Sequence, residues 1–538
     1  MQDDGQSGAR INRRDFLRLL GATGGTAAVF SAMDAWGMAM ASTVEAPPDL
    51  SGRADGRRVI ILGAGLAGMT AAHELSKLGY ETPIFEARTF AGGRCQTARR
   101  GFVLTELTGE TQRCMFDPGQ FINHGPWRIP YHHRSTLHYT KEFGVPLMIM
   151  VNENDNAWDY RVEENNPFSG QRRRRREFRA DIGGYTAELL AKAVDQTALD
   201  QELSEEDKER LLDFLVAWGQ LDRASLEYRG TGGRGYEEDP GAGLNPGVPS
   251  EPHPLSDVLS NSIINGFRAV DTHTQKSTMF EPVGGMDMIA KGFEQATGRF
   301  IHYGQEVQEI RQAEDGVRIV VEDTLTGEMS EVEGDYCICT IPLSVLSRIP
   351  ADFSPEFAAA IRGPTYVSTG KMGLQFGRRF WEEDDHIYGG HSTTNVFGNI
   401  SYPSYDWQGE KGTLLGYYNF GAQAIEVSAL SPAERIRYAL EHGSLLHPEV
   451  YEREFESGFS VAWHLVPYSM GGWASWSSDA RRDHYPTLNE PDGRVFLAGE
   501  HLSYMTGWMS GAIESAWIQI EKLHQHALAR AEAGVART

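Results

Sequence analysis

The sequence predicts an α/β fold with added α+β elements, and three observations predict it. The first is a strand, turn, helix and strand unit between Arg57 and Arg88. The second is a late strand ending in Gly499-Glu500 and followed by a helix, which repeats the opening theme near the C-terminus. The third is a change of character over residues 181–281, where helical periodicity and a Gly/Pro-rich loop interrupt the α/β pattern. At 538 residues the chain is long enough for two or three domains with sizeable cores.

The opening unit begins with Val59-Ile60-Ile61-Leu62, an apolar run short and β-branched enough for a buried parallel strand. Gly63, Gly65 and Gly68 follow at the spacing G-x-G-x-x-G, with Ala64 and Ala67 between them. Ala67, Ala71, Leu75 and Leu78 recur at helical intervals, and Gly79 suits a helix stop. A second strand, Pro83-Ile84-Phe85, ends at Glu86 and runs into Ala87-Arg88. The first glycine allows the tight turn, the second lets a pyrophosphate approach the backbone, and the third lets helix and strand pack closely. The helix N-terminus offers N–H groups to phosphates, and Glu86 is placed to accept hydrogen bonds from an adenosine ribose. Together these parts predict a Rossmann-like dinucleotide site. Gly92-Gly93-Arg94 comes next: glycines that let the backbone lie against a ligand, then an arginine able to neutralise a pyrophosphate. That order favours FAD over NAD.

Composition narrows the partners. A net charge of −24 argues against nucleic acid, which needs clustered Lys and Arg. Four cysteines are too few for a disulfide scaffold. Cys337 and Cys339 alternate to one face of an apolar strand and read as buried thiols, while Cys95 and Cys114 could pair in an oxidising compartment. No metal-ligand spacing is present, and the adjacent His132 and His133 would point apart in an extended chain. Residues 1–41 read as an address: Arg13-Arg14-Asp15-Phe16-Leu17, an apolar stretch, and Ala39-Met40-Ala41 as a cleavage site. This resembles a twin-arginine (Tat) export signal, and implies a periplasmic or secreted protein with no membrane anchor after its removal.

The remaining segments supply candidates whose local meaning stays open. In Asn123-His124-Gly125-Pro126-Trp127-Arg128-Ile129-Pro130, Arg128 lies among apolar neighbours. Its stem either carries the charge to solvent or brings it to an anion in a cleft. The Arg172–Arg176 run reads as a solvated hairpin tip. Helices are expected over Ala187–Leu199 and Ser204–Trp218, the second capped by Ser204, with a long loop from Gly230 to Pro252. A hairpin turns at Asp315-Gly316, and residues 365–480 are rich in strands and aromatics. Lys371, in a short run otherwise without charge, reads by default as a surface lysine. Near the end, Gly507-Trp508-Met509-Ser510-Gly511-Ala512 opens a helix expected over Glu514–Ala527, as a flavin's ribityl chain and pyrimidine ring require. The domain division is 55–125, 282–345 and 490–527 for FAD, 126–180 and 346–489 for substrate, and 181–281 as a helical subdomain.

GAGLAG, Glu86, GGR, PVGGM, LAGEH and GWMSGA together resemble the flavin monoamine oxidase superfamily. HGPWRIP, NENDNAW, STGK with RRFWEEDDHIYGGHSTT, and LLGYY narrow the resemblance to L-amino acid oxidases of the exported bacterial type. The similarity runs from about Arg57 to Lys522. It implies a homodimeric flavoenzyme that passes hydride from an L-amino acid Cα to flavin N5. O₂ and water then give a 2-oxo acid, ammonia and H₂O₂. The cofactor-binding residues implied are Gly63, Ala64, Gly65, Ala67, Gly68, Glu86, Ala87, Arg88, Gly93, Arg94, Val307, Gly499, Glu500 and Ala512. Arg128 and Tyr417 match the groups that bind the substrate α-carboxylate, and Trp463 and Trp508 the aromatic walls. Gly507 matches the carbonyl that meets the amino group, and Lys371 the catalytic lysine that holds a water near N5.

Two positions depart from the pattern. Ala269 stands where some members carry a histidine proposed as base, so no histidine base is named. Gly471-Gly472-Trp473 stands where mitochondrial-type amine oxidases carry a flavin-linking cysteine, which implies non-covalent FAD. An amine oxidase or an amino-acid 2-monooxygenase on the same fold, and a non-catalytic flavin-binding protein, are the rival readings. Arg268 or His273 would favour an acidic substrate side chain, or would be surface residues.

Overall fold

The computed structural model describes residues 46–53, 56–196, 203–266 and 276–535, without the side chains of 265, 266 and 531–535. Residues 1–41, read from the sequence as an export signal, and residues Arg268, Ala269 and His273 lie outside the described residues. One half of the molecule is a five-stranded sheet in the order Ile301–Tyr303, Ile84–Glu86, Val59–Leu62, Tyr336–Cys339, Val495–Leu497. Every pairing in it is parallel. Val59–Leu62, Tyr336–Cys339 and Val495–Leu497 are apolar and buried throughout because both faces are covered. Val59, Ile61, Ile84, Ile338 and Phe496 face a core shared with the helices Leu66–Lys77, Asp287–Thr297 and Met509–Val535. Ile60, Leu62, Phe85, Cys337, Cys339 and Leu497 face the opposite core. That core is closed by an antiparallel sheet, Gln305–Gln312, Val317–Asp323 and Met329–Gly334, whose first two strands turn at Asp315-Gly316. The α/β fold class read from the sequence is the one observed.

The second half is a seven-stranded sheet. Its order is Phe455–Ala462, Thr369–Phe376, Gly412–Phe420, Gly398–Ser401, His391–Thr394, Trp158–Tyr160, Arg172–Arg174. Between the halves of the sequence lies a helical hairpin, Arg175–Asp195 packed on Glu205–Gly219. The Ser204 hydroxyl accepts the Asp207 N–H and caps the second helix.

Three local expectations are corrected. The arginine run is no solvated tip: it forms an edge strand and the first turn of a helix that starts at Arg175, well before Ala187. Arg172 and Arg174 lay their guanidinium groups over Trp158, at 4.6 and 3.4 Å from the ring centre, and Arg175 is buried. An aromatic face on the neighbouring strand and long apolar stems make burial favourable there. The last helix also extends beyond its expected bounds at both ends, to Met509–Val535. All four cysteines are free and buried, so Cys95 and Cys114 do not pair. Among the described residues no helix is long and apolar enough to cross a membrane.

Candidate active site

A cavity of 1980 Å³ is lined by residues from both sheets. Its first arm lies where the parallel strands end. Gly63 has a φ of +98°, which only glycine adopts without strain. A Cβ placed on Gly65 would meet nothing within 4 Å, so the turn opens onto the cavity there. A Cβ on Gly68 would come to 2.0 Å from the Gly63 carbonyl oxygen, so helix and strand touch at that point. Glu86 is 4% exposed, and its carboxylate accepts the N–H of Ala64 at 2.8 Å and of Arg88 at 3.0 Å. Those two bonds fix it on the cavity wall beside Ala87, Arg88 and Val307, which also line the arm. Ala67, Gly93, Gly499 and Ala512 line it further in, whereas Ala64 and Gly68 shape it from behind.

Glu500 is a junction. One carboxylate oxygen accepts Arg94 at 2.9 Å and the Ala474 N–H at 3.1 Å, and the other accepts the Gly507 N–H at 3.0 Å. Arg94 also donates to the Gly472 carbonyl. One buried acid thus gathers Gly92-Gly93-Arg94, the Gly471–Ala474 segment and the turn before the last helix around one space. The Gly65 opening, the Gly93 loop beside it and this frame are shaped to hold a flavin with its phosphates at the helix N-terminus. Cys95 lines the same space, but its thiol turns to the Met286 carbonyl and the Met509 sulfur.

The second arm is built around the loop Asn123–Arg128. Lys371 is 2% exposed, not a surface lysine, because its strand is covered on both faces. Its Nζ donates to the Gly125 carbonyl at 2.5 Å and the Asn123 carbonyl at 3.3 Å. Burial first, then the positive charge of Arg128, holds its pKa well below the ordinary lysine value. Trp463 donates its indole N–H to the His124 carbonyl at 2.8 Å. Lysine and tryptophan together fasten the loop, and Arg128 sits at its end with its guanidinium 5.3 Å from the Trp508 ring centre. Arg128, Lys371, Trp463, Gly507 and Trp508 all line the cavity.

Tyr417 does not. It is 1% exposed and sits in a core with Met372, Leu374 and Trp381 on the far side of the sheet. Tyr418 and Phe420 line the cavity instead, with the Lys371 Nζ 4.5 Å from the Tyr418 ring centre. Side chains alternate along a strand, and the register pairs Lys371 with Tyr418 and Met372 with Tyr417. His132 and His133 also differ from expectation. They precede the helix Arg134–Glu142 in a turn, so their rings meet edge to face at 4.7 Å, and His133 lies 4.7 Å from Trp508.

Sequence reasoning missed one wall entirely. Asn152, Glu153, Arg161, Arg175 and His391 line the cavity beside Arg128. Glu153 accepts Arg175 at 2.7 Å, and Arg161 donates to Asp159 at 3.0 Å. Only NENDNAW and GGHSTT marked this region, as parts of a resemblance and not as chemistry. On the outer surface the trio His73, Glu74 and Glu142 has metal-ligand proximity, but the Lys77 ammonium already lies 3.0 Å from Glu74.

Comparison with known proteins identifies the family and the fold. An L-amino-acid oxidase of Sistrurus catenatus edwardsii is 28% identical over 486 residues, 87% of this chain and 86% of the relative. One from Notechis scutatus scutatus is 26% identical over 485 residues, 85% of each chain. The solved structure of cyclohexylamine oxidase from Brevibacterium oxydans IH-35A superposes with a TM-score of 0.57 at 17% identity, covering 88% of this chain and 99% of that one. It shares the fold. Residues 66–519 match the family described as flavin containing amine oxidoreductase, and the chain belongs to that family of oxidoreductases.

Proposed function

We propose that this chain is an L-amino acid oxidase that holds FAD without a covalent link. The observation that carries the reading is Arg128, a guanidinium on the cavity wall between Trp508 and the Lys371–Tyr418 pair. A fixed arginine beside aromatic faces suits a carboxylate, which it can bind through two parallel hydrogen bonds. Tyr418 takes the part expected of Tyr417. Burial pushes its phenol up to about 12, so it stays a neutral donor beside the same carboxylate. The Gly507 turn is fastened by Glu500 and lines the cavity, and its backbone carbonyl is the acceptor this reading assigns to the substrate amine.

The protein's part in the reaction is orientation and dryness. Arg128 and Tyr418 hold one end of the substrate, Trp463, Trp473 and Trp508 exclude water, and the substrate Cα–H is left facing the Arg94–Gly507 space. A flavin bound there supplies the two-electron acceptor that O₂ reoxidises. Lys371 keeps the Arg128 loop in place from the other side. Export by the twin-arginine route and a homodimeric state belong to the same reading, and rest on the sequence alone.

The test is Arg128→Ala in flavin-loaded enzyme. Loss of a charge-assisted pair of about 2–5 kcal/mol should lower kcat/KM for L-amino acids by roughly 30-fold or more, with flavin content unchanged. An unchanged kcat/KM would remove the carboxylate assignment and leave an amine oxidase as the reading.

A further inference from the structure

The wall formed by Glu153 and His391 has no part in the chemistry above, and its hydrogen-bond pattern is one-sided. The segments 152–154 and 389–391 press together at Gly390, where a Cβ would lie 2.4 Å from the Asn154 Cβ. That approach brings His391 Nδ1 within 2.7 Å of the Asn152 carbonyl oxygen. A carbonyl only accepts, so Nδ1 carries the proton and Nε2 of the neutral ring is left as an acceptor. Burial holds His391 below the ordinary histidine value, in keeping with a neutral ring. Nε2 lies 3.6 Å from Glu153 Oε1, which accepts the Asn152 side-chain amide at 3.3 Å and keeps a second lone pair, an acceptor set beside an acceptor.

The other groups of this wall are already engaged. Arg175 donates to the second Glu153 oxygen at 2.7 Å. Arg175 also lines the cavity, but its side chain is 4% exposed against 24% for Glu153 and 19% for His391, so the two acceptors reach the space further than the cation does. Arg161 is held by Asp159 and Thr393. Arg128, Glu153 and His391 line the same cavity, so the carboxylate anchor and the acceptor pair open onto one space.

We propose that Glu153 Oε1 and His391 Nε2 together receive the terminal ammonium of the substrate side chain. The substrate class is therefore L-amino acids with an unbranched side chain ending in a primary ammonium, L-lysine and L-ornithine. This rests on the L-amino acid oxidase reading and narrows it. An ammonium offers three donors from one small cation, enough to bridge both acceptors. An acidic side chain, the preference that Arg268 or His273 would have given, meets two acceptors here and is repelled.

The experiment uses flavin-loaded enzyme with L-lysine, L-ornithine, L-leucine, L-glutamate and pentane-1,5-diamine, scored by peroxide release. The expected result is a kcat/KM for L-lysine at least about tenfold above L-leucine, the size of one charge-assisted hydrogen bond. Glu153→Gln should lower the lysine-to-leucine ratio by about 30-fold, with flavin content as the check on folding. Preference for L-leucine or L-glutamate overturns the proposal and leaves the oxidase reading standing. So does a Glu153→Gln variant that slows lysine and leucine equally, which would make Glu153 a structural partner of Arg175. If the diamine is oxidised in preference to L-lysine, the carboxylate anchor fails and both readings fall. Should Glu153→Gln not retain flavin, the wild-type ratio decides alone.

Discussion

Glu281 is 5% exposed on the strand Met279–Pro282, and burial raises its carboxyl from 4.5 to about 8. In the unfolded chain the same group ionises near its ordinary value, so the folded protein holds a proton that unfolding releases. This contribution to stability is therefore full below about pH 4.5, falls as pH rises, and is gone above about pH 8. Glu281→Gln removes that slope. Relative to wild type, the variant should gain stability between pH 5 and 9, on the order of 4 kcal/mol at most. Urea denaturation at the two pH values measures it, and a constant difference would mean that the carboxyl is not neutral in the fold. Lys371 makes a second prediction at this scale. Lys371→Met leaves the Gly125 and Asn123 carbonyls without their donor, at about 1–3 kcal/mol of stability. Stopped-flow mixing with O₂ should also show reoxidation slowed at least about tenfold, roughly 1.4 kcal/mol of barrier. Loss of stability with reoxidation at the wild-type rate would make Lys371 a clamp for the loop and nothing more.

At the scale of elements, the glycine turn separates two functions of one residue type. Gly65→Ala adds a methyl group to open space and should fold with near wild-type stability, yet lose flavin on dilution because the methyl group stands where a phosphate approaches the backbone. Gly68→Ala pushes a methyl group into the Gly63 carbonyl and should lose about 3 kcal/mol or more, with little folded protein. Thermal unfolding and flavin absorbance distinguish the two, and equal behaviour would contradict the geometry. This turn was legible in the sequence because its parts are neighbours along the chain. The face of the Gly412–Phe420 strand was not. Two adjacent tyrosines read alike until the register pairs one of them with Lys371, and that register shifts between Met372 and Gly373. The arginine run misled for a related reason: Trp158, which draws Arg172 and Arg174 down, becomes their neighbour only when the sheet forms. Glu153 and His391 are far apart in sequence and belong to no local pattern, so only the folded chain joins them.

For the whole molecule, stability comes from burial and ion pairs without covalent cross-links. All four thiols are buried and free, and burial pushes those of Cys114 and Cys339 up to about 11 and 12. They should resist thiol reagents until the protein unfolds, and Tm should agree within about 1 °C with and without reductant. A larger drop in reductant would mean that a disulfide forms in solution.

The parallel sheet also sets the order of events in synthesis. Its middle strand, Val59–Leu62, leaves the ribosome long before one of its edge strands, Val495–Leu497, and the Glu500 junction. Until then Tyr336–Cys339 is an apolar edge without its neighbour, and nothing gathers Arg94 and Gly507. A half-made chain is thus prone to stick to others of its kind and has no finished place for a flavin. Cofactor capture therefore waits until the Glu500 junction has been made.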